Sequence, residues 1–179
     1  DAREHLSVQV HPSPEYAASH PGAHLKTECW YVLEAEPGAV IYKGLRRGVT
    51  PEELAARISA GTVVEALAMA EAGPGDLHNL RSGTIHALGA GVLVAEVQTP
   101  SDTTFRVYDW AAEYGRSGRT LHIEQAMACI DFGPAPASVR LGEGEVAGRL
   151  LETAFFTIDE AHLPAGEELI VGEDERAGV

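Results

Sequence analysis

The sequence lacks the features that mark several specialised classes of protein. It contains no apolar run of membrane-spanning length. Its two cysteines, Cys29 and Cys129, lie far apart and outside any CxxC pair, so a disulfide framework is not expected. These absences exclude an integral membrane protein and a disulfide-stabilised secreted domain, and they predict a cytoplasmic location.

Positive charge is scarce as well. The 179 residues include 13 Lys and Arg against 27 Asp and Glu, which gives a formal net charge of −14. This balance argues against nonspecific binding of nucleic acid or of anionic membranes. It leaves a small anionic substrate possible, because a few local cations can outweigh a distant surplus of acid. Acidic residues are concentrated from Asp159 onward, where we expect a solvated surface or tail.

Short segments of β-branched, aromatic and alternating residues predict a mainly β protein with few helices. Thr50, Pro51 and Glu53 form a capping box with proline at the first helical position, and Thr62 and Glu65 repeat the box. We therefore expect a helical pair between about 50 and 70. Another helix is expected over 121–132. Strands are expected over 6–11, 26–35, 39–45, 92–98, 103–110 and 153–158. Many short strands with glycine turns are typical of a sandwich or closed barrel.

The segment "HLSVQVHP", residues 5–12, has an unusual polar face. Its alternate residues Ser7, Gln9 and His11 carry a hydroxyl, an amide and an imidazole, which indicates a site if that face points inward. Glu28 and His86 lie in other strand-like segments and complete a set of two imidazoles, a carboxylate and an amide. Such donors suit zinc with an open position. The spacing matches no short metal motif, so core histidines bonded to the backbone are the alternative interpretation.

Four blocks of the sequence closely resemble the type I phosphomannose isomerases in their shorter bacterial form. They are "LSVQVHP", "KTECWYVL", "SGTIHALGAGVLVAEVQTPSDTTFRVYDW" and "LHIEQAMACIDF", in the order of the family. These isomerases are zinc-dependent cupins that interconvert mannose 6-phosphate and fructose 6-phosphate. The resemblance runs from Asp1 to about Phe132. It implies a cupin-type β-barrel or jelly roll over 1–132, as the catalytic core, and an abbreviated C-terminal β segment with an acidic tail over 133–179.

The resemblance also assigns roles to individual residues. It implies one zinc ion per chain, held by Gln9, His11, Glu28 and His86. Arg106 matches the arginine that the family treats as catalytic. Lys26 matches a basic residue beside the metal-binding glutamate, and Ser7 matches a hydroxyl of the sugar-phosphate pocket; both would contact substrate together with Arg106.

The chemistry of an aldose–ketose isomerase fits these residue types. An enediol route moves a proton between C1 and C2, and it requires a general base and stabilisation of an oxyanion. Glu96, His11 and Lys26 are candidates for the base, among which the sequence does not choose. Arg106 does not readily release a proton and is expected to hold an anion, either the enediolate or the phosphate.

Two functional hypotheses follow from the sequence. The first is a zinc-dependent mannose-6-phosphate isomerase acting on a small sugar phosphate, with no nucleic-acid or membrane partner. The alternative is a non-catalytic metal- or sugar-binding cupin, a truncated relative of the isomerases. The remaining six histidines, His78 among them, are expected at the surface or in helices.

Overall fold

A computed structural model describes residues 1–169 of the chain. These residues form two compact units, of which the first spans Asp1–Ser138 and the second begins at Val139. All of the predicted site residues lie in the first unit. The division into a catalytic core over 1–132 and a C-terminal segment over 133–179 stays a prediction, and the predicted acidic tail beyond residue 169 lies outside the described residues.

Strands predominate in the described chain, and the mainly β prediction is confirmed. The strands are β1 (Val8–Val10), β2 (Glu28–Ala35), β3 (Val40–Leu45), β4 (Leu67–Glu71), β5 (Leu77–Leu80), β6 (His86–Leu88), β7 (Val92–Gln98), β8 (Phe105–Tyr108), β9 (Ala147–Glu152) and β10 (Thr157–Ala161). The helices are α1 (Pro14–Ser19), α2 (Pro51–Ala60) and α3 (Ile123–Cys129), with short 3₁₀ helices at Val63–Ala66 and Trp110–Ala112. The helical insertion and the helix after the core strands are therefore confirmed.

The first unit is built from two antiparallel sheets. The larger sheet has the order β4-β3-β6-β1-β8, and the smaller has the order β5-β2-β7. The sheets face each other, since the ring of Trp30 in β2 meets the ring of His86 in β6 edge-on at 5.3 Å between centroids. Apolar side chains from both sheets, including Val32, Ile41 and Leu88, form a core between them.

A second apolar layer covers the outer face of the larger sheet. Val8 and Val10 of β1 are completely buried there, in one cluster with Leu54 of α2 and Ala126 of α3. Because side chains alternate along a strand, Gln9 points from β1 to the opposite face, toward the smaller sheet. The polar face noted in the sequence is thus an interior face.

The second member of the predicted helical pair is only a short 3₁₀ helix and not an α-helix. Thr50 does accept a hydrogen bond from the amide of Glu53 and begins α2. Thr62 makes no such side-chain bond. The chain instead forms one 3₁₀ turn and continues as β4, where Met69 pairs with Tyr42 of β3. Pairing with β3 gives the backbone groups of this segment their hydrogen-bond partners. This tertiary interaction overrides the helical signal of the Thr62–Glu65 capping box.

Two further differences concern strands. The sequence pattern does not predict β5, β6 or β9, and the strand expected over 153–158 begins only at Thr157. Thr153 explains the later start, because its hydroxyl oxygen accepts hydrogen bonds from the amides of Phe155 and Phe156 and so forms a turn. In the second unit, β9 and β10 pair as an antiparallel ribbon. None of the helices within residues 1–169 combines the length and hydropathy of a membrane span.

Candidate metal centre

Three separate β segments bring a carboxylate and two imidazoles together between the sheets. His11 directly follows β1, Glu28 opens β2 and His86 opens β6. Each of the three is at most 1% exposed. One ligand atom from each lies within 4.8 Å of the others. Glu28 is central, with Oε2 at 3.3 Å from Nε2 of His11 and Oε1 at 3.2 Å from Nε2 of His86.

Backbone carbonyls fix the orientation and tautomer of both imidazoles. Nδ1 of His11 lies 3.0 Å from the carbonyl oxygen of Thr103, and Nδ1 of His86 lies 2.8 Å from that of Thr84. A carbonyl oxygen only accepts hydrogen bonds, so each Nδ1 carries the proton and donates it. In a neutral ring Nε2 then presents a lone pair toward Glu28. This is the second-sphere arrangement common to metal-binding histidines.

The cluster therefore places acceptors against acceptors in a buried space. In the described part of the chain, Nε2 of His11 and both carboxylate oxygens of Glu28 form no hydrogen bond of good geometry. The ammonium of Lys26, 2.9 Å from Oε2 of Glu28, is an ion-pair partner of that carboxylate. Unpaired buried polar atoms are costly, and a cation at their centre would satisfy all of them at once. The residues present thus fit a divalent metal ion.

The protonation states agree with this interpretation. Burial lowers the pKa of His11, although contact with Glu28 opposes the shift, so the ring is neutral near pH 7. Burial alone would raise the pKa of the Glu28 carboxyl, but in the metal-free site contact with the rings of His11 and His86, when they carry a proton toward it, outweighs that effect and holds the pKa below its ordinary value. A neutral imidazole and an ionised carboxylate are the ligand forms of these side chains.

Gln9 lies beside the cluster. It is the direct cross-strand partner of His86, and its amide nitrogen lies 3.4 Å from Nε2 of that ring. Its Oε1 is instead 3.4 Å from the hydroxyl of buried Ser7. An amide nitrogen has no lone pair to offer a metal, so Gln9 would have to turn its amide by half a rotation to contribute Oε1.

Lys26 and Glu96 extend the polar set from Glu28 toward solvent. The ammonium of Lys26 lies 2.9 Å from Oε2 of Glu28 and 4.0 Å from Oε1 of Glu96. The indole N–H of Trp30 donates to Oε2 of Glu96 at 3.1 Å. Burial, followed by the charge of Glu28, raises the pKa of Glu96. Its side chain is 40% exposed, in contrast to that of Glu28, so it borders the accessible part of the site.

Arg106 lies on β8, across β1 from the strand that carries His86. It is the direct partner of Gln9 across β1 and β8, so both side chains lie on the interior face. In the described residues, its buried Nε has no hydrogen-bond partner. The guanidinium therefore retains at least its Nε donor for an anion.

Sequence reasoning missed one interior histidine. His78 is expected at the surface or in a helix, yet it lies in β5 and is only 1% exposed. The expectation is wrong because "LHNL" shows no clear alternation. A usable signal was the position of this apolar segment between glycine turns at Gly75 and Gly83, both with positive φ.

Comparison with known proteins relates this chain to mannose-6-phosphate isomerases. The chain is 43% identical over 164 residues to "Mannose-6-phosphate isomerase" from Streptococcus mutans, covering 88% of this chain and 51% of that protein. It is 35% identical over 175 residues to "Mannose-6-phosphate isomerase ManA" from Bacillus subtilis, covering 94% and 55%. The crystal structure of the mannose 6-phosphate isomerase from Bacillus subtilis superposes with a TM-score of 0.76 at 32% identity, covering 89% of this chain and 52% of that one. No family model matches the chain.

The fold and the buried cluster first define a mainly β protein with an interior site fit for a metal. The comparisons then confirm the resemblance noted in the sequence: the chain is homologous to the mannose-6-phosphate isomerases. It spans about half the length of the curated relatives that it matches.

Proposed function

We propose that this chain carries the metal centre and the catalytic groups of a mannose-6-phosphate isomerase, and that it interconverts mannose 6-phosphate and fructose 6-phosphate. The observation that carries the proposal is the buried cluster of His11, Glu28 and His86, whose ligand atoms converge within 4.8 Å of one another. The names of the relatives supply the substrate class. We further propose a cytoplasmic location, since both cysteines are free and buried.

Zinc is the metal that this donor set suits best. His11, Glu28 and His86 would hold it, and Gln9 would add an oxygen after turning its amide. Two imidazoles and a carboxylate are typical zinc ligands, with a position left for substrate or water. When bound, the ion would supply Lewis-acid stabilisation of negative charge on the substrate oxygens.

Glu96 is the best candidate for the general base. His11 and Lys26 are less suitable, because the Nε2 lone pair of His11 faces Glu28 and the ammonium of Lys26 is ion-paired with Glu28 at 2.9 Å. Glu96 is accessible and has a raised pKa, which makes its carboxylate a better proton acceptor than an ordinary carboxylate. Its carboxylate would remove the proton from C2 of the open-chain aldose and return it to C1. The hydroxyl proton passes from O2 to O1, so the overall change is an isomerisation.

The two cations and the buried hydroxyl position the substrate in this scheme. Arg106 would hold the enediolate or the phosphate through its unpaired guanidinium donors. Lys26, between Glu28 and Glu96, would keep both carboxylates ionised and face the sugar oxygens. Ser7 would orient Gln9 and contribute a hydroxyl to the sugar-phosphate pocket.

A coupled assay that converts fructose 6-phosphate onward, started with mannose 6-phosphate and run beside metal analysis, tests this function. We expect turnover and one zinc ion per chain. Arg106→Ala should retain zinc and lose at least about 100-fold in kcat/KM, since it removes a charged contact to the anion. Arg81→Ala, at an exposed position, is the matched control and should keep the full rate. Stoichiometric zinc without turnover in the wild type would instead identify a non-catalytic metal-binding protein.

A further inference from the structure

The loop between β7 and β8, residues 99–104, crosses from the smaller sheet to the larger one. On one side β7 pairs with β2, which carries Glu28. On the other side β8 pairs with β1, which His11 directly follows. This crossover loop therefore joins the neighbours of two strands that bring donors to the metal centre from different sheets.

The first residue of the crossover loop is fixed to the segment that carries Lys26. The amide of Thr99 donates to the carbonyl oxygen of Thr27 at 3.0 Å, and the hydroxyl oxygen of Thr99 accepts from the amide of Thr27 at 3.2 Å. Thr27 is 7% exposed and lies between Lys26 and Glu28 in the sequence. The two hydrogen bonds thus hold the backbone from which both of those side chains project.

Two more hydroxyl groups of the crossover loop bind the backbone of His24, in the same segment. The hydroxyl of Thr103 accepts from the amide of His24 at 3.2 Å, and the hydroxyl of Ser101 donates to its carbonyl oxygen at 3.1 Å. The oxygen of Ser101 also accepts from the amide of Thr103 at 3.3 Å. These hydrogen bonds form a closed set that ties the loop to the chain just before Lys26.

Thr103 is also the point at which the crossover loop meets the metal centre. Its carbonyl oxygen accepts a hydrogen bond from Nδ1 of His11 at 3.0 Å. A carbonyl group can orient a ring only as firmly as its own backbone is held, and loop backbone is held mainly by such local hydrogen bonds. Both the amide and the hydroxyl of Thr103 are bonded, to Ser101 and His24 respectively.

We propose that Thr103 is a positioning residue of the metal centre, whose hydroxyl, together with that of Ser101, holds the carbonyl group that orients His11. The assignment rests on the proposed function of the site. Through the same hydroxyls, His11 is tied to the segment that delivers Lys26 and Glu28. Donors from two sheets are thereby held at a fixed separation before an ion binds, which lowers the entropic cost of binding it.

Exchange of the Nδ1 proton of His11 with solvent tests this role in the metal-free full chain, by proton NMR. Thr103→Val keeps the shape of the side chain and removes the hydroxyl, so exchange should become about tenfold faster, as expected for loss of one hydrogen bond. Thr103→Ser retains the hydroxyl and should exchange at nearly the wild-type rate. Equal rates in Thr103→Val and the wild type, or equally fast exchange in Thr103→Ser and Thr103→Val, would overturn the proposal.

Zinc affinity, measured by competition with a chelator, supplies the second test. Thr103→Val should bind zinc about tenfold more weakly than the wild type, and Ser101→Ala should also bind it more weakly. Thr50→Val is the matched control, since it likewise removes a hydroxyl that accepts from an amide, at 3.3 Å, but at the start of α2. It should destabilise the fold and leave the zinc affinity within about twofold of the wild type.

An equal loss of zinc affinity in Thr103→Val and Thr50→Val would reduce the role of Thr103 to general stability and refute the assignment. A wild type that binds no zinc would instead refute the proposed metal centre. In that case the exchange rates of the His11 proton still decide whether the hydroxyl of Thr103 holds the ring, so the two failures are distinguishable.

Discussion

Replacing Glu28 by glutamine removes one negative charge while preserving size, and the structure allows its effect on stability to be worked out. The Lys26–Glu28 ion pair joins side chains that are 10% and 1% exposed, at 2.9 Å. Loss of one partner from a buried pair costs about 3–5 kcal/mol, because the other charge stays buried. Glu96 lies 4.0 Å from the ammonium and is 40% exposed, so it offers partial compensation. We therefore expect the metal-free protein to lose about 3 kcal/mol of unfolding free energy.

Urea denaturation in the presence of a chelator measures this loss. With a slope of about 2 kcal/mol per molar urea, the midpoint should fall by about 1.5 M. Glu34→Gln, at an exposed position of the same strand, is the control and should leave the midpoint nearly unchanged. The effect should also depend on pH. The pKa of Glu28 is lower in the folded than in the unfolded state. Its contribution is therefore complete above about pH 4.5 and disappears as the pH falls through the folded value.

Zinc provides the second half of the experiment. Free zinc at 1,000 times its dissociation constant should stabilise the wild type by about 4 kcal/mol, whereas Glu28→Gln should gain almost nothing. If Glu28→Gln has the same urea midpoint as the wild type in chelator, the buried charge of Lys26 does not require Glu28 for its stabilisation. A variant that still gains the full zinc stabilisation would remove Glu28 from the metal centre.

Three further perturbations test separate parts of the structure. Trp30→Phe removes the indole donor that favours ionised Glu96, so the acidic limb of the kcat/KM profile should move up by about 0.5 pH unit, and an unmoved limb would exclude Glu96 as its origin. A hydrogen bond from half-exposed Arg119 is the main cause that lowers the pKa of Asp109 from 3.8 to about 2. Asp109→Asn should therefore lower the free energy of unfolding by about 1 kcal/mol in urea denaturation at pH 7. The difference from the wild type should vanish as the pH falls to about 2. Gly89→Ala should cost about 1–3 kcal/mol by the same measurement, because its Cβ would collide with a backbone carbonyl of β3, whereas Gly22→Ala, with open space around it, should be nearly neutral.

Local signals in the sequence were sufficient where one segment determines its own structure. Thr50 and Pro51 set the start of α2 through an N-cap and a preset backbone angle. The alternation around Gln9 assigned its two valine neighbours to an apolar core and Gln9 itself to the other face. In each case the deciding interactions lie within a few residues along the chain.

Local signals failed where strand pairing decides. The segment 62–70 carries a helical cap signal, yet β4 forms because β3 offers an edge for it to pair with. His78 resembles a surface residue in sequence, and only its register with Trp30 places it in the interior. Neither pairing can be read from composition or periodicity, since the partner strand lies far away along the chain.

The candidate metal centre combines both situations. Each donor lies in or next to a short strand, but the donors converge only because β6 pairs with β1 and because β2 faces that pair from the other sheet. The same pairing that aligns Gln9 with His86 also aligns Gln9 with Arg106. A shift of β1 by one residue in register would point Val8 or Val10 toward the metal centre. It would also bury the amide of Gln9 in the apolar layer beneath α2 and α3. The site is thus fixed by the burial of two valines on the opposite face of the strand, and its geometry depends on that outer core as much as on the ligands themselves.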